Sequence, residues 1–76
     1  MTTIRLGKKL IALRREANMT QEELAAYMGV SKSSVSKWET ETTLPDILLL
    51  PQLATLFNVS VDELIGYEPQ LSMEAI

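Results

Sequence analysis

Seventy-six residues with no cysteine and no histidine make one small domain that lacks disulfides, thiolate or imidazole nucleophiles and the usual metal-ligand clusters. The net charge of −3 argues at face value against a polyanionic partner, but it is divided: seven bases and four acids leave residues 1–40 at +3, while six acids and no base leave residues 41–76 at −6. The longest strictly aliphatic run, Ile47–Leu50, is too short to span a bilayer, and Arg5, Lys8 and Lys9 interrupt any signal-peptide pattern, so a reducing cytoplasm without membrane contact is the expected setting.

Leu6, Leu10, Leu13 and Ala17 recur at spacings of four, three and four, which is one face of a first helix. Asn18 is suited to close that helix in the left-handed conformation. Thr20-Gln-Glu-Glu23 reads as a capping box opening a second helix, whose buried side is Leu24, Ala25 and Met28. Gly29 ends it, Val30 pins the turn to the core, and Ser31 caps a third helix running to about Trp38 or Thr40. Val35 and Trp38 share the inner face of that helix. Ser33, Ser36 and Lys37 look the other way, with Lys32 exposed at its start.

Residues 40–45 read as loop, with Asp46 as the cap of a short turn. A fourth helix is secure over Leu50–Phe57, where Pro51 is tolerated in the first turn and Leu53, Ala54 and Phe57 line the core. Asn58 repeats the role of Asn18. Ser60-Val-Asp-Glu63 reads as a second capping box, opening a short fifth helix that ends at Gly66. No stretch alternates as a strand does. The expected fold is therefore all-α, a compact five-helix domain over residues 1–67. Residues 68–76, where Ser72 looks like another helix cap, read as a tail or as the start of a linker or helix to a further C-terminal region.

Over residues 20–40 two helices are joined by about three residues, with small Ala25 at their crossing, Gly29 at the turn, and Leu24, Val30, Val35 and Trp38 directed inward. This is a helix-turn-helix pattern. No acid stands between Glu23 and Glu39. Serine is a poor helix former for a merely solvated face, where Glu, Lys or Gln serves better. A short hydroxyl allows close approach and exchanges hydrogen bonds with base edges, and lysine meets phosphates or guanine acceptors. The outer face of the third helix is thus fitted to a polyanion, and the acids that make the chain negative lie mostly in its other half.

On "LGKKLIALRREAN", "MTQEELAAYMGVSKSSVSKWE" and "LPDILLLPQLATLFNVSVDELIG" the chain resembles, over roughly residues 4–67, the N-terminal DNA-binding domain of the phage repressor/Cro-type (XRE-like) helix-turn-helix transcriptional regulators. The resemblance implies a sequence-specific binder of double-stranded DNA, a repressor acting as a homodimer on a palindromic operator, with the helix over residues 31–40 in the major groove. It implies base or groove contacts for Lys32, Ser33, Ser36 and Lys37, and phosphate contacts for Gln21 and Ser31. It also implies a structural ion pair between Arg14 and Glu39. No cofactor or metal is expected, and no enzymatic activity, since the chain carries neither a Gly-rich phosphate loop nor a nucleophile–base set. One departure stands out: the resemblance leads to a glycine and then a basic residue just after Glu39, where this chain has Glu41 and Thr42. A protein-interaction module of the same fold that has lost DNA binding is the alternative reading.

Overall fold

The computed structural model describes residues 5–66. Along them run α1 (Leu6–Glu16), α2 (Gln21–Met28), α3 (Lys32–Glu39), a 3₁₀ turn (Ile47–Leu49), α4 (Leu50–Phe57) and α5 (Val61–Leu64). There is no strand among the described residues, so the architecture is all-α with five α-helices, as expected. The tail reading of residues 68–76, Ser72 included, lies outside the described residues. No helix among the described residues is long and apolar enough to cross a membrane.

Except for α1, no helix exceeds eight residues, a length that is not helical by itself in water. Packing supplies what local propensity lacks. Leu6 and Leu10 of α1, Leu24 of α2, Val35 of α3, Leu53 of α4 and Leu64 of α5 are almost completely buried in one cluster, joined by Trp38 and Met28. Each such side chain contributes about 1.5–3 kcal/mol on burial, and every helix commits at least one. Helix α3 lies against both α2 and α1, and α5 closes back onto α1 and α4. The amide of Arg5 donates to the carbonyl of Ile65 at 2.8 Å, tying the entry of the chain to its fifth helix.

The turns follow one rule. Asn18 (φ 56°), Gly29 (φ 72°), Glu41 (φ 61°), Asn58 (φ 57°) and Gly66 (φ 62°) each adopt the left-handed conformation just beyond a helix. After α1, α2, α3 and α4 the next amide reaches back to the same helical turn: Met19 to the Arg14 carbonyl, Val30 to Ala25, Thr42 to Lys37 and Val59 to Ala54, at 2.9–3.0 Å. These bonds satisfy carbonyls that a helix end leaves orphaned. Because α1 stops at Glu16 and the chain turns at Asn18, Ala17 is exposed and does not extend the buried stripe. The Thr20–Glu23 capping box is complete, with both reciprocal bonds formed. The second expected box is only half formed: Ser60 Oγ accepts from the Glu63 amide at 3.0 Å, whereas the Glu63 carboxylate faces Lys9 Nζ at 3.5 Å.

Helix α1 has neither a side-chain N-cap of its own nor an acid in its first turn. Glu41 supplies that function from 34 positions away, its Oε2 accepting from the Gly7 amide at 3.3 Å. The carboxylate therefore sits at the positive end of α1 and is directed back to the domain's own backbone. Gly7 makes the approach possible. A Cβ there would lie 2.5 Å from Glu41 Cγ and 2.6 Å from the carbonyl oxygen of Glu39. The first neighbour is a flexible side chain, but the second is backbone and cannot swing aside.

Three substitutions test this junction by urea denaturation at constant slope. Gly7→Ala lowers the unfolding midpoint, because overpacking of about 1–3 kcal/mol outweighs the gain of up to about 1 kcal/mol in helix propensity. Glu41→Ala is less stable than Glu41→Gly by about 1–2 kcal/mol, the cost of holding an L-residue in the left-handed region. Equal midpoints for the two Glu41 variants would show that the conformation carries no strain.

Candidate nucleic-acid interface

The turn at Gly29 and the crossing at Ala25, which is 4% exposed, set α3 against α2. Leu24, Val35 and Trp38 are buried, and Val30 packs half-buried against them. Trp38 belongs to the core and offers no stacking surface. What remains of α3 is its outer side. Ser31, Lys32, Ser33 and Lys37 are exposed and Ser36 is half-buried, so the residues expected to meet DNA lie on one continuous surface. Ser31 is already engaged as the N-cap, its Oγ accepting from the Ser34 amide at 3.1 Å and sharing a hydrogen bond with Ser34 Oγ.

Under this surface lies an ion pair. Arg14 Nε donates to Glu39 Oε2 at 2.6 Å and Nη2 to Oε1 at 3.1 Å, a two-pronged contact, while Nη1 donates to the Met19 carbonyl at 2.9 Å. Gln21 Nε2 donates to Glu39 Oε1 at 2.9 Å. The Glu39 side chain is 4% exposed and that of Arg14 13%. The hydrogen bonds that Arg14 donates to Glu39, and then the charge of Glu39, raise the guanidinium above its already high value against the opposing pull of burial. A base stabilised in this way holds its contribution at every pH below its unfolded value and loses it only on rising through the folded one. Arg14 therefore stays charged wherever the domain is folded.

Gln21 is thus a fourth member of the network. Its position at the first residue of α2 was legible, but its bond to Glu39 was not, since nothing local relates residues 18 apart. One amide hydrogen of Gln21 is committed to Glu39 and the other has no protein partner among the described residues. The capping box uses the amides of Thr20 and Glu23. The backbone amides of Gln21 and Glu22 have no protein partner among the described residues, so α2 presents two donors outward at its positive end.

These donors face an open cleft of about 530 Å³ between the end of α1, the start of α2 and the start of α3, lined by Arg14, Arg15, Asn18, Met19, Thr20, Gln21, Glu22 and Lys32. It brings together two of the expected contact residues, Gln21 and Lys32. It adds Arg15 and Glu22, to which the sequence alone assigns no role. The adjacent pairs Arg14-Arg15 and Glu22-Glu23 were the available signal, but only the packing of the helices puts both arginines and one of the two glutamates in the same cleft. Glu22 Oε2 stands 3.7 Å from Lys32 Nζ. Among the described residues no cluster of His, Cys, Asp and Glu is placed to hold a metal ion.

A helix-turn-helix family model matches residues 10–64. The chain is 36% identical over 67 residues to the HTH-type transcriptional activator BcrR of Enterococcus faecalis, covering 88% of this chain and 33% of that protein. It spans a third to about half the length of several curated relatives that it matches. Among solved structures, a transcriptional regulator from Listeria innocua superposes with a TM-score of 0.84 at 30% identity, covering 93% of this chain and 66% of that one. The P22 c2 repressor, solved in complex with a synthetic operator, superposes with a TM-score of 0.76 at 30% identity, covering 83% and 96%.

The weight of the ion pair can be measured without any ligand. Arg14→Met leaves Glu39 buried without its cation and lowers the unfolding free energy by about 3–5 kcal/mol. Arg14→Met combined with Glu39→Leu recovers most of that loss, because two apolar groups can share the space. A chemical denaturation series on the three proteins checks both. A single variant as stable as the parent would show that Glu39 has no need of its partner.

Proposed function

The chain belongs to the XRE/Cro-type helix-turn-helix family, and from that premise we propose that it is the DNA-binding domain of a transcriptional regulator acting in the cytoplasm. In this reading α3 enters the major groove of a specific double-stranded site. The observation that carries it is the division of α3 into two faces. Val35 and Trp38 fasten it inward, while Ser33, Ser36, Lys37 and Lys32 form an outer side free of acids. Ser33 and Ser36 read base edges at close range, and Lys37 and Lys32 add contacts to guanine or phosphate. Gln21, through its remaining amide hydrogen and its backbone donor, and Ser31, at the cap of α3, hold flanking phosphates. The network of Arg14, Glu39 and Gln21 supports this role by fixing the end of α3 against the start of α2, so that base contacts and phosphate contacts keep one register.

Repression is the direction of regulation we propose, exerted by a homodimer on a palindromic operator. Half-sites would then lie about 34–36 Å apart, one helical turn. Leu44, Ile47 and Leu48 are 60–76% exposed beside α4 and give two copies an apolar surface to cover.

Selection from a random double-stranded pool, followed by salt titration of the winning duplex, tests the proposal. Binding weakens with a slope of about −0.9 per phosphate neutralised. Lys37→Glu reduces affinity at least tenfold, and Ser33→Ala changes the preferred bases while affinity for unrelated duplex is kept. Retention of no duplex at low salt, together with co-purification of a protein partner, would replace this reading with the protein-interaction module.

A further inference from the structure

We propose that Glu22 is an affinity-limiting residue: it is the built-in counter-anion of the cleft, and a DNA phosphate must displace it from Lys32 on docking. This inference rests on the DNA-binding reading above. Its starting point is that the cleft prepared for an anion already holds one. Arg14, Arg15 and Lys32 line it together with the unpartnered amides at the start of α2, and Glu22 projects among them, 3.7 Å from the Lys32 ammonium. The field of Glu22 also reaches Arg14 and adds to the stabilisation of its charge. By contrast, Glu23 next to it is spent on the capping box and does not line the cleft.

The Lys32–Glu22 pair is more than half exposed on both sides, so it adds little to stability. Its effect falls on the ligand. A phosphate entering the cleft meets a carboxylate at close range and must compete for Lys32, and both effects are the same for every DNA sequence. Backbone-only binding is weakened, while the serine contacts to bases are untouched. The penalty lowers affinity for every duplex by the same factor and leaves the ratio of specific to non-specific binding unchanged, so Glu22 sets how tightly the domain holds DNA and not which sequence it prefers.

The opposing account is that Glu22 serves only the helix, as an acid favourable to the positive end of α2. The two accounts predict different signs. With a random-sequence 20-base-pair duplex at low salt, Glu22→Gln binds roughly fivefold tighter, the effect of one unit charge at about 4 Å in water. Its salt slope steepens by up to about 1, while its thermal midpoint stays level or falls slightly. Glu23→Gln, which keeps the capping box and removes a charge outside the cleft, does not gain in affinity. An equal gain in both variants would reduce the effect to net charge and overturn the inference. So would duplex binding by the parent with no gain in Glu22→Gln, and that result would leave the DNA-binding reading intact. Should the parent bind no duplex, that reading fails, and titration with inorganic phosphate decides separately. Amide shifts of Gln21 and Lys32 saturate at lower phosphate in Glu22→Gln if the inference holds, and at equal phosphate if it is wrong.

Discussion

The buried carboxylate of Glu39 is the constraint around which the rest of the domain is arranged. A carboxylate this far from water is stable only if its charge and lone pairs are met. Three donated hydrogen bonds do that, two from Arg14 of α1 and one from Gln21 of α2. Arg14 in turn holds the Met19 carbonyl in the turn between those helices. One side chain at the end of α3 therefore fixes the two elements that flank its outer face. Apolar packing through Val35 and Trp38 holds α3 to the domain without directing it strongly, because hydrophobic contact is not directional. The bidentate geometry of a guanidinium on a carboxylate is directional, and it sets the pose.

A second close contact works from the opposite side of the same helix end. Gly7 lets α1 approach the Glu39 carbonyl, and Glu41 returns over the gap to cap the helix that needed a cap. Both contacts gather within three residues of the C-terminus of α3. Its N-terminus, by contrast, is held by its own Ser31 cap and by the exposed Lys32–Glu22 pair. The recognition helix is thus anchored firmly at one end and lightly at the end where a helix-turn-helix meets base edges.

How far the sequence revealed this depends on the range of each interaction. Asn18, Gly29, Asn58 and Gly66 announce their left-handed turns by residue type, and Thr20, Ser31 and Ser60 announce helix starts, because these preferences are local. Glu41 does the same work as Gly29 without the residue type that would reveal it. Its bond with Gly7 spans 34 positions, so no window of sequence contains both. Ala17 continued a heptad-like spacing and yet is exposed, since the end of α1 is set by Asn18 and not by the stripe. The ion pair was reached through resemblance alone. The outer face of α3 was legible from its composition, whereas the company Gln21 keeps, and the cleft that joins Arg15 and Glu22 to it, required the helices to be packed first.

That difference in range bears on what kind of binder the fold makes. In the proposed reading the base-facing residues are short serines on a helix that they do little to stabilise, so their presence has to be permitted by contacts elsewhere. Glu39, Arg14 and Gly7 provide those contacts from beneath the outer face of α3. Substitutions at Ser33 or Ser36, the residues proposed to read bases, leave the pose of α3 undisturbed, since neither side chain enters the network or the core. Substitutions at Arg14, Gly7 or Glu39 alter the pose itself and with it every contact at once. The domain separates the residues proposed to choose a sequence from the residues that hold the helix, and Gln21, bonded to Glu39 and lining the cleft, is where the two sets meet.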